Sequence, residues 1–269
     1  MNTGVTRMGS PCVGSWVTYG LGSESDRLPS FVVMSDPKNR GLPKGNALNW
    51  GAGFLPSVYQ GTWLKPQGEP IDNLKPPAVL NAERQRAQLD LLGELNRQHL
   101  TQSPAESELA ARIESFELAY KMQSQMPAVL DLNKESEATR KLYGVGDRDT
   151  DDFGRKCLMA RRFIEAGVRF VEVGAGNWDH HFNLSAQLAR NCASVDKPIA
   201  GLLTDLKQRG LLKDTLVIWG GEFGRTPYAQ GNDGRDHNNK GFTLWLAGGG
   251  AKGGTSYGAT DEHGAEAVQ

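Results

Sequence analysis

The sequence predicts an α/β fold, a mostly parallel sheet with helices packed on its faces. Three observations carry that prediction. After Asp147, short apolar runs alternate with stretches of helical spacing, the rhythm of βα units. The runs themselves, such as Thr215-Leu216-Val217-Ile218-Trp219, are almost continuously apolar, as strands covered on both faces are. Polar clusters then follow the runs directly, and in parallel sheets ligands bind outside the carboxyl ends of the strands.

Along the chain, Ser10-Pro11 has the pattern of an N-cap followed by proline at the first helical position, opening a short helix that stops at Gly20. Phe31-Val32-Val33-Met34 is a buried strand by composition. Residues 35–80 are rich in Gly, Pro and Asn and carry Trp50, Phe54, Tyr59 and Trp63, which predicts a long ordered loop region shaping a binding surface. From about 76 to 146 the composition turns helical. "AERQRAQLDLLGELNRQHL" and "AESELAARIESFELAYKMQSQM" place apolar residues at helical spacing, Ser103-Pro104 opens the second, and a third short helix covers Ser136 to Leu142. This helical insert is expected to serve packing or as a lid. "DDFGRKCLMARRFIEAG" has an acidic start and a glycine stop. Val168 to Val173 is a strand, and "LSAQLARNCASVDKPIAGLLTDLKQRG" is a long helix that Pro198 kinks or breaks. The runs 215–219 and 242–247 complete the predicted parallel sheet.

Composition excludes several classes. Thirty basic and 31 acidic residues leave a formal net charge of −1, which removes the electrostatic case for nucleic acid or an anionic membrane as the main partner. No apolar stretch approaches the roughly 18 residues of a membrane span. The start, "MNTGVTRMGS", lacks the apolar core of a signal peptide. Cys12, Cys157 and Cys192 are too scattered for a disulfide framework or a thiolate metal site. Thirteen glycines between Gly220 and Gly264 predict a loop-rich end to the chain.

Three clusters carry the candidate chemistry. The run at 168–173 leads into Gly174-Ala175-Gly176-Asn177-Trp178-Asp179-His180-His181. The run at 215–219 leads into Glu222-Phe223-Gly224-Arg225, and Asp236-His237 follow. Imidazole together with carboxylate suits zinc, manganese or iron better than calcium or magnesium alone, because nitrogen donors favour the transition ions. A bound dication would keep Asp179 and Glu222 ionised and would acidify a bound water. The planar fork of Arg225 suits a tetrahedral oxyanion such as phosphate or sulfate. Plainer roles stand beside these: Glu222 capping a following helix, Arg225 pairing with Glu222, Asp236-His237 making an ordinary loop hydrogen bond, and Trp178 packing.

"GGEFGRTP", then "GRDHN", then "GGGAKGGTSYGATDEHG" resemble the bacterial DUF1501 proteins, a branch of the alkaline phosphatase and sulfatase superfamily. "MGSPCVGSWVTYGLGSESDRLPSFVVMSDP" and "FLPSVYQGT" are similar to the earlier part of that family, and "WDHHFN" to its "WD-x-H" element. The resemblance covers nearly the whole chain. It implies an alkaline-phosphatase-like three-layer sandwich with a mostly parallel central sheet, carried by residues 1–269 as a single domain incomplete at both ends. It implies a metal-dependent hydrolase of phosphate or sulfate esters, with a Ser or Thr nucleophile, or a fragment of one lacking the nucleophile segment. Neither Ser10 nor Thr18 is marked as that nucleophile. By the likeness, Asp179 and His181 hold one divalent metal, zinc, manganese or similar, and His237 joins them. Glu222 stands where relatives place an Asp-His pair for a second metal. Arg225 is expected to hold the substrate oxyanion, and Asp236 either to point away or to support a metal-bound ring from behind, since such imidazoles usually donate their other N–H to an acceptor. The implied partner is a small-molecule or glycan ester, and the implied location is the periplasm or cell surface. The alternative is a non-catalytic member that binds a metal or an anionic glycan.

Overall fold

A computed structural model describes residues 3–5, 9–36, 46–65, 69–71, 74, 80–102 and 107–268. They form a mixed α/β protein with six α-helices among the described residues. The chain divides into two compact units, residues 2–132 with 162–174, and residues 133–161 with 175–269.

The first unit is organised by a parallel sheet. Strand β1 (Phe31–Met34) is buried at all four positions, which its unbroken apolar sequence demands. Strands β2 (Thr62–Leu64) and β3 (Phe170–Val173) flank it, both parallel to it, in the order β2-β1-β3. The register pairs Phe31 with Phe170, and their rings meet edge to face at 5.1 Å. Helix α1 (Val13–Leu21) brings Cys12 against Phe31 and Val33, with Trp50 and Phe170 closing the cluster. Its cap is Cys12, not the predicted Ser10: the Gly51 carbonyl takes the Cys12 N–H at 3.2 Å, so the helical turn begins only after it. The helix stops at Gly22, two residues beyond the predicted Gly20. The predicted loop region 35–80 contains 3-10 turns at Asn46–Trp50 and Ser57–Tyr59 as well as β2. Three residues are too few for β2 to show a period in the sequence.

Helices α2 (Ala82–Gln102) and α3 (Ser107–Leu130) complete this unit, joined by Arg86, whose guanidinium lies 2.7 Å from Glu117 and 2.7 Å from Asp90. The predicted start at Ser103-Pro104 lies outside the described residues. Helix α4 (Glu137–Leu142) falls in the second unit, so the predicted 76–146 segment is shared between the two.

In the second unit Ser136 caps α4, accepting the Thr139 N–H at 3.0 Å. Helix α5 (Asp151–Glu165) opens on two aspartates, as the helix dipole favours, and its first eleven residues belong here. Helix α6 (Leu184–Gln208) runs through Pro198 without the predicted break. Proline forfeits a single i→i−4 bond, and the buried face of Pro198, Gly201 and Leu206 holds the helix together across it. A charged knot ties the three helical segments. Arg161 lies 2.8 Å from Glu135 and 2.9 Å from Asp205, and Asp205 also accepts from the Tyr143 hydroxyl at 2.9 Å and from Arg209 at 2.7 Å.

After α6 come β4 (Leu216–Trp219), β5 (Gly224–Arg225), β6 (His237–Asn238) and β7 (Trp245–Gly248). The pairs β4–β7 and β5–β6 are both antiparallel. The strand expected over 242–247 therefore begins at Trp245 and runs against β4 rather than with it. Apolar periodicity carries no direction, and the short excursion from 220 to 244 turns the chain back on itself. The Trp219 and Trp245 rings stack at 6.3 Å across the pair. No described helix is long and apolar enough to cross a membrane.

Candidate metal centre

The opening residues of the site hang from β4. That strand ends at Trp219, two glycines follow, and Glu222, Phe223 and β5 come next; the helix that Glu222 was expected to cap does not form. The β5–β6 pairing sets Arg225 directly opposite His237. It needs glycine at 224, because a Cβ there would fall on the Gly241 carbonyl oxygen. Thr226 and Asp236 extend the pairing, with the Thr226 N–H donating to the Asp236 carbonyl at 3.0 Å. His237 lies between two rings, 4.3 Å from Phe223 and 4.9 Å from His181 by centroid.

Asp179 and His181 arrive on the segment before α6. A second glycine is required where this segment meets the 226–236 loop, since a Cβ on Gly234 would fall on the His181 carbonyl oxygen. The approach is sealed by Arg235 N–H donating to the His180 carbonyl at 2.9 Å and Leu184 N–H donating to the Asp233 carbonyl at 2.9 Å. The Asp233 carboxylate also accepts from the Ser185 hydroxyl at 2.8 Å. It thereby meets the free N–H groups at the start of α6, which Asn183 leaves uncapped.

All of this converges on one atom. Asp179 Oδ1 lies 2.8 Å from Arg225 Nη1, 2.9 Å from His181 Nε2 and 2.9 Å from His237 Nε2. Ligand atoms of Asp179, His181 and His237 all fall within 4.8 Å of one another. Arg225, and then His237, hold the Asp179 carboxyl down at about 2, so it is ionised across the physiological range. The donor chemistry fits a divalent ion of the zinc or manganese type. Donors on a four-coordinate ion with bonds of about 2.0–2.2 Å stand roughly 3.3–3.6 Å apart, so the side chains need open by only a few tenths of an ångström.

The sequence placed Asp179, His181, His237 and Arg225 in one site, and their side chains meet. Glu222 is not in the group: its carboxylate is exposed and 4.0 Å from Arg225 Nη2, while the shorter contact of Arg225 is to Asp179. The Asp236 Oδ1 accepts the His237 backbone N–H at 2.8 Å and lies 3.8 Å from Nδ1 of His181.

Two participants were missed from the sequence. Gln230 places Oε1 2.6 Å from His181 Nδ1, and the Phe223 ring packs against His237, tilted by 36°. Phe223 sits next to Glu222 in the motif, but nothing in the sequence signals Gln230. His180, adjacent to His181, is turned inward: 4 % exposed, with Nε2 3.3 Å from the Asn191 amide. Burial, reinforced by the Arg225 charge, holds His180 below the usual imidazole range.

No curated protein and no solved structure matches the chain. A family model does match, over residues 1–269, with the description "Protein of unknown function (DUF1501)", and the chain belongs to that family.

Proposed function

We propose that this chain is the metal-binding part of a hydrolase of phosphate or sulfate esters, of the alkaline phosphatase and sulfatase superfamily. The three-layer sandwich, the small-molecule or glycan substrate and the periplasmic or cell-surface location belong to the same reading. The observation that supports it is the meeting of two imidazoles and one guanidinium on Asp179 Oδ1. Two imidazole nitrogens and a carboxylate oxygen drawn together at a partly exposed site are the donor set of a catalytic metal centre. Asp179, His181 and His237 would hold the ion. When bound, such an ion polarises an ester oxygen and acidifies water. Arg225 is held over the Phe223 ring at 5.4 Å and by Asp179, so its fork is oriented before an anion arrives. Glu222, exposed beside Arg225, is the remaining carboxylate for a second ion.

A non-catalytic metal- or glycan-binding role is favoured by a different observation. Thr18 is buried and its hydroxyl donates to the Gly14 and Ser15 carbonyls, while Thr226 donates to the Tyr228 carbonyl. Neither hydroxyl is poised as a nucleophile. The test is to load the purified chain with zinc or manganese, quantify the bound ion, and assay p-nitrophenyl phosphate and p-nitrophenyl sulfate. Bound metal with turnover supports the hydrolase, and bound metal without turnover supports the second role. A parent protein that takes up no metal, or a His237→Ala variant that binds as much as the parent, defeats the hydrolase and the metal-binding form of the second role.

A further inference from the structure

We infer that Gln230 is a positioning residue for His181: its amide oxygen accepts the Nδ1–H and thereby leaves Nε2, the nitrogen that faces Asp179, as the one that gives up its proton to a bound ion. The inference rests on the metal-binding reading above. His181 Nδ1 and Gln230 Oε1 are 2.6 Å apart, while Nε2 of the same ring is the atom 2.9 Å from Asp179 Oδ1. A neutral imidazole carries one proton, and whichever nitrogen donates it leaves the other as the ligand. The ionised Asp179 accepts from Nε2 in the metal-free protein; with Gln230 accepting at Nδ1, Nε2 is the nitrogen that exchanges its proton for an ion. Metal-bound imidazoles usually donate their other N–H to an acceptor that fixes the ring.

Asp236 is the competing acceptor for that proton, and it is the weaker one. It stands 3.8 Å from Nδ1, beyond hydrogen-bond reach, and its Oδ1 is already engaged by the His237 N–H at 2.8 Å. Gln230 is also fixed from its own side. Its N–H donates to the Gly234 carbonyl at 2.9 Å, closing the loop on itself. Gly234 in turn abuts the His181 carbonyl, and Arg235 and Asp233 tie the same loop to His180, Leu184 and Ser185. The loop carrying Gln230 and the segment carrying His181 are thus one braced unit, and the amide is held against the ring. A side chain serving only to fill space has no need of an oxygen at this point.

The experiment compares the full chain with Gln230→Leu, which keeps the bulk and removes the acceptor, and with Gln230→Glu, which restores it. Two readouts are taken. The first is the ring-nitrogen chemical shifts of His181 in the zinc-loaded protein. The second is the zinc dissociation constant by competition with a chelating dye. We expect zinc on Nε2 with the proton on Nδ1 in the parent and in Gln230→Glu, and loss of that single tautomer in Gln230→Leu. Zinc binding should weaken about 10- to 100-fold in Gln230→Leu and recover in Gln230→Glu. An unchanged tautomer and a dissociation constant within about twofold of the parent in Gln230→Leu would overturn the inference. If the parent binds no zinc, the metal reading fails and takes the inference with it, whereas zinc bound by the parent and bound equally well by Gln230→Leu overturns the inference alone. If Gln230→Leu does not fold, the decision passes to Gln230→Glu, whose binding must equal or exceed that of the parent.

Discussion

Two aspartates in the second unit gather cationic and hydroxyl groups, and they do so in opposite ways. Asp205 is 6 % exposed at its side chain and spreads its partners over both oxygens: Tyr143 and Arg161 reach Oδ2, and Arg209 reaches Oδ1. Asp179 is 54 % exposed and loads one oxygen with Arg225, His181 and His237. The first arrangement is closed. Both oxygens are used, the carboxylate is buried, and the partners are long side chains from helical segments. Its neighbour Tyr143 is pushed well above the usual phenol value by burial and then by the Asp205 charge, so it stays a donor. The second arrangement is overfilled at one oxygen and open to water. Two of its three donors are imidazoles, which can exchange a proton for a metal bond, whereas a guanidinium cannot. The same residue type therefore makes a rivet in one place and a receptive centre in the other, according to burial and the identity of the donors.

The contrast between the two aspartates is open to measurement. The largest effect belongs to the rivet. Asp205→Ala leaves Arg161 with Glu135, removes the acceptor of Tyr143 and Arg209, and should cost about 3–5 kcal/mol in chemical denaturation. By contrast, His237→Ala removes a half-exposed ring and should change metal-free stability by no more than about 0.5 kcal/mol. A comparable loss in both variants would mean the two clusters are equally structural.

The next effect belongs to the open centre. Zinc at about 100 times its dissociation constant should stabilise the parent by roughly 2.7 kcal/mol, and a chelator should reverse it. The His237→Ala variant should show no such gain, and the Asp205 cluster should be indifferent to the ion.

A smaller effect comes from Cys157, buried on α5. Burial pushes its thiol up to about 12, above an unfolded value near 8.5. The folded value is the raised one, so its contribution is fully present below about pH 8.5 and is lost as pH rises toward 12. Urea melts should show the parent losing up to about 1.4 kcal/mol per pH unit in that window relative to Cys157→Ala. Parallel pH profiles would show that the thiol is reachable by water. In the native state a thiol reagent should modify Cys192, the exposed one, before Cys12 or Cys157.

The smallest effect tests the brace between loop and helix. Asp233→Ala removes the acceptor for the Ser185 N–H and hydroxyl and should cost about 1 kcal/mol. It should also loosen His181 and weaken zinc binding more than it weakens the fold. Intact zinc affinity in a destabilised Asp233→Ala protein would separate the brace from the site.

The sequence alone determined the local facts. Phe31–Met34 had to be a buried strand because no polar residue interrupts it. Helix α5 had to begin at its aspartates and end before Gly167, because charge at the first turn and a glycine at φ 88° are signals carried by the residues themselves. Asp179, His181, Arg225 and His237 were legible as a set because their chemistry belongs to each side chain and their motifs resemble those of the family. Tertiary structure decided the rest. It turned His180 inward, since only the fold says which of two neighbouring rings is covered by Asn191. It reversed β7 against β4, because alternation and apolarity are the same read in either direction. It brought Gln230 to a ring 49 residues away and Asp205 to a tyrosine 62 residues away. Contacts across such separations depend on where backbones cross, and a one-dimensional pattern of residue types does not contain that crossing.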